Sequence, residues 1–184
     1  IVNTLHFGPV PGELSLSEVS APASDFPTER FAEICAEAIS SLGGKIAGYT
    51  ETGGLPGLRD VLRERTVGLD TAAIPRDVMV TSGAVEALNL VIRLFVEEGD
   101  VVVVEDPTFP CAVTSLSATG AQVIGIPMGR EGMRLEILDQ VVRRQEVKLL
   151  ITVPNFQNPT GTVMPDAAKR ELLDLTRMYG VTVF

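Results

Sequence analysis

Three short stretches carry residue types that could do chemistry. The first, Val80-Thr81-Ser82-Gly83-Ala84-Val85-Glu86-Ala87-Leu88, passes from a β-rich segment through a small-residue turn into a helical pattern. The first amides of a helix have no intrahelical acceptor, and the helix dipole favours an anion beside them. This turn could therefore cradle a phosphate. An ordinary helix cap by Ser82 next to a glycine turn explains the same residues without a ligand. The second stretch, Glu105-Asp106-Pro107-Thr108-Phe109-Pro110, ends another β-rich run. Its two prolines stiffen the segment and fix Phe109, which could stack on a flat ring or plug the core. The third, Thr152-Val153-Pro154-Asn155-Phe156-Gln157-Asn158-Pro159-Thr160-Gly161, is a polar, proline-locked loop. Asn158 precedes Pro159, which restricts its backbone and aims its carboxamide; a plain turn is the alternative.

These stretches need a scaffold, and the chain supplies one from Asp77 onward. Val78-Met79-Val80-Thr81 reads as a strand, followed by a helix with Ala84, Leu88, Val91, Ile92 and Phe95 on one face. Val101 to Glu105 is a second strand, ended by Asp106-Pro107. A helix from about Pro110 to Thr119, a strand from Gln122 to Ile126 and a helix through Leu135, Leu138, Val141 and Val142 follow. Lys148 to Val153 reads as a strand. Pro165 suits the first turn of a helix carrying Ala168, Leu172, Leu175 and Met178; Gly180 ends it before a last strand. Strands alternating with helices predict an α/β fold with parallel strands and right-handed crossovers.

Before Asp77 the pattern is looser. Residues 1–27 read as an extended arm rich in Pro, Ser and Gly. Thr28 is predicted to cap a helix bearing Phe31, Ile34, Cys35, Ala38 and Ile39. A further helix carries Leu58, Val61, Leu62 and Arg65. The domain division expected is 1–47 for arm and first helix and 48–184 for the rest.

Composition narrows the function classes. The 184 residues include 15 Lys and Arg against 24 Asp and Glu, a net charge of −9, so this segment should repel nucleic acid. No apolar run reaches the ~20 residues of a membrane span. The thiols Cys35 and Cys111 form no Cys-x-x-Cys pair, and His6 is the single histidine, so no metal site is expected. Both thiols read as small buried hydrophobes in a reducing cytoplasm. Neither a Gly-x-Gly-x-x-Gly turn nor a Gly-x-x-x-x-Gly-Lys loop is present, which argues against an ordinary nucleotide-binding domain. Ile1 and the apolar ending Val181-Thr182-Val183-Phe184 suggest a piece of something longer.

Taken in order, Gly48-Tyr49, Gly53-Gly54-Leu55-Pro56-Gly57-Leu58-Arg59, Thr81-Ser82-Gly83-Ala84, Glu105-Asp106-Pro107-Thr108-Phe109 and Pro154 to Gly161 resemble the class I/II aminotransferases, from about Phe26 to Phe184. These are fold-type I enzymes dependent on pyridoxal 5′-phosphate. The resemblance implies an incomplete three-layer α/β/α large domain with a mostly parallel sheet, the small C-terminal domain being absent. It implies that Gly83, Ala84 and Val85 hold the cofactor phosphate, that Phe109 stacks on the pyridine ring and that Asn158 bonds the ring hydroxyl oxygen. Tyr49 resembles the tyrosine that reaches the neighbouring subunit's site, so a homodimer is implied. The aspartate facing the ring nitrogen, the Schiff-base lysine and the carboxylate-binding arginine would lie after Phe184. Lys45, Lys148 and Lys169 match none of them and read as surface lysines, so no catalytic residue is assigned in this chain. The implied reaction moves an amino group between an amino acid and a 2-oxo acid. The alternative is the aminotransferase-like effector domain of a GntR/MocR-type transcription regulator, whose winged helix would precede Ile1.

Overall fold

A computed structural model describes residues 23–67 and 78–184. His6 and most of the expected arm lie outside the described residues. The chain divides into two compact units, Ile1–Thr50 and Glu51–Phe184.

In the first unit, a short 3-10 turn at Ala23–Asp25 leads to helix α1, Thr28–Leu42, and a second 3-10 turn at Gly43–Ala47. The expected cap moves by one residue. Pro27 is the N-cap, because its carbonyl already accepts from the Phe31 amide, and the Thr28 hydroxyl donates backwards to the Phe26 carbonyl. The apolar face of α1 is present, but none of its residues is buried. Phe31 packs edge-on against Phe26, ring centres 5.2 Å apart.

In the second unit, helices α2 (Pro56–Val67) and α3 (Ala84–Phe95) precede strand β1 (Val101–Asp106). Then come α4 (Pro110–Ser117), β2 (Gln122–Gly129), β3 (Gly132–Met133), α5 (Leu135–Arg144), β4 (Val147–Ile151), α6 (Asp166–Met178) and β5 (Thr182–Val183). The sheet order is β3-β2-β1-β4-β5; β3 runs antiparallel to β2 and all other pairs are parallel.

Period two sorts the side chains of β1 and β4 between two cores. Val102, Val104, Leu149 and Ile151 meet Leu88 and Ile92 of α3 and Leu116 of α4. Val103 and Leu150 face the other way, onto Leu138 and Val142 of α5 and Leu172 of α6. Helices therefore cover both faces, which is why Val101 to Val104 reads as an unbroken apolar run. Ile126 is fully buried in the second of these cores. Trimming it to valine should cost about 1 kcal/mol of unfolding free energy in a urea titration, the usual price of one buried methyl group.

One expected strand is absent. Residues 78–81 form no regular element and join no ladder. Among the described residues their bonds go to the Gly53-Gly54 turn instead: the Val80 amide donates to the Gly53 carbonyl at 3.0 Å, and Arg59 Nε donates to the Val78 carbonyl at 2.7 Å. A β-rich run becomes a strand only where a partner strand offers pairing, and the sheet's described strands pair with one another. The two cysteines also depart from expectation. Both are free, and both are half-buried rather than buried.

Candidate functional site

Three loops meet the carboxyl edge of the parallel strands. Residues 107–109 leave β1 there, and the loop beginning at Thr152 leaves β4 there. Helix α3 passes the chain through residues 96–100 to the amino end of β1. It packs along the sheet through Leu88 and Ile92, so its own amino terminus lies toward that carboxyl edge. This edge is where open α/β sheets receive ligands.

The turn before α3 is shaped by glycine. Gly83, the N-cap, has φ 126° and ψ 175°, a backbone region that side-chain-bearing residues rarely enter. A Cβ built there would meet nothing within 4 Å, so the restriction is conformational and the space above the turn is open. The first intrahelical bond runs from the Ala87 amide to the Gly83 carbonyl, leaving the amides of Ala84, Val85 and Glu86 without an intrahelical acceptor. The expected Ser82 cap does not form. The Ser82 amide donates to the carboxyl of Glu86, and the Thr81 hydroxyl donates to the Gly83 carbonyl. Glu86 stands in the first turn of α3, where the helix dipole favours a carboxylate.

Upstream, the Gly53-Gly54 turn fixes the segment that enters this site. Gly54 has φ 96°, and a Cβ on it would lie 2.8 Å from Val80 Cβ. The turn therefore seats Val80 directly against bare backbone, three residues before Gly83.

Phe109 is the N-cap of α4 and half-buried; it belongs to neither core, so it is no plug. Asn158 is half-buried in the loop after β4. The Asp106-Pro107 and Asn158-Pro159 peptides are both cis. Tyr49 lies in the first unit with its side chain fully exposed.

Two residues singled out by no chemical expectation join these loops. Glu105, 1% exposed, accepts from the Thr152 hydroxyl at 2.6 Å and the Val153 amide at 2.9 Å through Oε1. Its Oε2 accepts from Gln157 Nε2 at 2.8 Å. The same Nε2 donates to the Pro107 carbonyl at 2.9 Å, while Gln157 Oε1 accepts from the Thr160 amide and hydroxyl at 2.9 and 2.7 Å. Gln157, 2% exposed, also uses its backbone, donating to Thr162 and accepting from the Gly161 amide. It turns inward because Phe156 takes a left-handed backbone (φ 51°), with its ring largely in solvent. The sequence did hold a signal for Glu105: at period two it shares a face with Val103, an inward position.

No group of three or more His, Cys, Asp or Glu suited to a metal occurs among the described residues. No described helix is long and apolar enough to cross a membrane. The edge therefore offers outward helix amides, an aromatic ring and a carboxamide, a donor set suited to a flat, phosphorylated molecule.

Comparison with known proteins gives this geometry a family context. The profile described as "Aminotransferase class I and II" matches residues 15–184. The chain is 32% identical over 173 residues to 2-aminoadipate transaminase of Thermus thermophilus, covering 94% of this chain and 42% of that protein. It superposes on the crystal structure of LysN, alpha-aminoadipate aminotransferase of Thermus thermophilus complexed with N-(5'-phosphopyridoxyl)-L-leucine, with TM-score 0.78 at 33% identity, covering 86% and 39%. It is also 31% identical over 140 residues to the uncharacterized HTH-type transcriptional regulator YjiR of Escherichia coli, covering 76% and 30%. The chain thus spans about two fifths or less of the length of these relatives.

Proposed function

Because the chain belongs to the class I and II aminotransferase family, we propose that it is the cofactor-cradling part of a pyridoxal 5′-phosphate-dependent transaminase, acting on an amino acid and a 2-oxo acid. The observation that carries this reading is the convergence of the Gly83 turn, the Phe109 loop and the Asn158 loop on one sheet edge. The residues fit the cofactor: Gly83 leaves open space above its Cα, and the amides after it are outward-facing donors.

When bound, the cofactor supplies a conjugated ring that takes up the electron pair left as the substrate Cα–H bond breaks. This chain's part is to bind and orient. The amides of Gly83, Ala84 and Val85 would hold the phosphate without needing a counter-cation, since the helix dipole aids them. Phe109 would cover one face of the ring with an apolar surface, excluding water from it. Asn158 would donate its carboxamide hydrogen to the ring oxygen. Tyr49, fully exposed in the first unit, would serve the neighbouring subunit of a homodimer. None of the three lysines is assigned a proton-transfer step: Lys45 and Lys148 are exposed, and Lys169 pairs with Asp166 at 3.1 Å. Cytoplasmic residence accompanies this reading, supported by the two free thiols.

One residue works against tight binding. The exposed Glu86 carboxyl occupies the same helix turn that would receive the phosphate. Glu86→Gln keeps an acceptor for the Ser82 amide and removes the charge. Affinity for pyridoxal phosphate should rise about two- to fivefold, matching the roughly 0.5–1 kcal/mol of an exposed charge pair. Absorbance titration of the full protein measures it, and weaker binding would mean that the carboxylate is needed to shape the turn.

The likeness to YjiR favours a second reading, an effector-binding module of a transcription regulator whose DNA contacts come from another segment. The full protein loaded with pyridoxal phosphate and given single amino acids, with no 2-oxo acid, separates the two. A change in the cofactor absorbance with stoichiometric release of the matching 2-oxo acid supports the transaminase. No turnover with any amino acid, together with retardation of promoter DNA, would overturn it for the regulator.

A further inference from the structure

The buried Glu105–Gln157 pair is built for more than loop closure. Its two residues are 52 apart in sequence, yet one carboxamide nitrogen bonds both the Glu105 carboxyl and the Pro107 carbonyl. Pro107 lies two residues before Phe109, and Gln157 lies next to Asn158. One side chain thus spaces the loop bearing the aromatic ring from the loop bearing the carboxamide. Every polar group of Gln157 is bonded, so neither its rotamer nor its amide orientation is free to change. The far side of the pair is anchored on β4's exit through Thr152 and Val153. Pairs held this way keep reacting groups within the few tenths of an ångström that orientation requires.

We infer that Glu105 and Gln157 are positioning residues of the cofactor site, which set Phe109 and Asn158 at the spacing that grips a pyridine ring between an aromatic face and a hydrogen-bond donor. The inference rests on the function proposed above. Gln157→Met keeps length and volume and removes both donor and acceptor. In the full protein it should weaken pyridoxal phosphate binding at least tenfold. It should also alter the sign or intensity of the circular dichroism of the bound cofactor band, which reads ring orientation.

The Glu105→Gln/Gln157→Glu exchange restores the bond between the two side chains but sets an oxygen against the Pro107 carbonyl. It should recover part of the affinity and part of the cofactor dichroism. A general loss of structure would not be repaired by an exchange that preserves one bond of two. If Gln157→Met does not fold, Thr160→Val removes a hydroxyl bond to Gln157 Oε1 at an exposed position and should weaken binding about threefold. Wild-type affinity and wild-type dichroism in the folded variants would overturn the positioning role alone. Failure of the wild-type protein to bind pyridoxal phosphate would overturn the function and this inference together.

Discussion

Glu105→Leu should lower the free energy of unfolding by about 2–5 kcal/mol, the sum expected when several donors lose a shared acceptor at about 1–3 kcal/mol each. Leucine approximates the volume of glutamate, so no large cavity opens and the loss is one of bonding. Three donors lose their acceptor at once: the Thr152 hydroxyl, the Val153 amide and Gln157 Nε2. An orphaned buried donor costs about 1–3 kcal/mol, and the Thr152 hydroxyl can rotate to relieve itself. Gln157 retains the Pro107 carbonyl, which limits its share. The added burial of an apolar side chain offsets only part of the deficit. Urea unfolding with unchanged slope and a lowered midpoint is the expected result. Glu105→Gln gives an internal comparison: it keeps the shape but turns an amide N–H toward a donor, so it should cost less than leucine. A loss under 1 kcal/mol for Glu105→Leu would show that water reaches these donors and that the network is not a closed one.

The fold was legible because its signals are local. Helices α3, α5 and α6 announce themselves by apolar spacing, and β1 and β4 by short β-rich runs bounded by turn residues. Their alternation implies parallel pairing without knowledge of which strands touch. What the residue pattern could not tell was decided by pairing and by burial. Residues 78–81 have strand composition, yet their bonds go to the Gly53-Gly54 turn and Arg59. Thr28 and Ser82 have cap composition, yet Pro27 and Gly83 occupy the N-cap positions, with no side-chain cap at either. The residues proposed to bind the cofactor stood out as motifs, because proline and glycine mark the loops that carry them. Glu105 and Gln157 sat inside the same motifs unread. Nothing in a sequence shows that residues 52 apart share a hydrogen bond, although a glutamate at an inward strand position was a usable warning.

The second large effect is expected at Gly83. Its φ of 126° and ψ of 175° are available to glycine almost alone, so Gly83→Ala must either carry about 1–3 kcal/mol of backbone strain or leave that conformation. Steric crowding is not the cause, since an added Cβ meets no atom within 4 Å. This separates Gly83 from Gly54, where a Cβ would also strike Val80. A turn that leaves its conformation re-aims the amides of Gly83, Ala84 and Val85. Each hydrogen bond to a charged group is worth about 1.5–3 kcal/mol, so losing one should weaken pyridoxal phosphate binding by about tenfold to a hundredfold. The helix itself should survive, because Leu88 and Ile92 remain packed in the core. The expected result for Gly83→Ala in the full protein is therefore a modest fall in unfolding midpoint with a disproportionate loss of cofactor affinity. Binding by pyridoxal, which lacks the phosphate, should change little between the two proteins. Equal weakening toward both molecules would place the phosphate elsewhere and remove the Gly83 turn from the site.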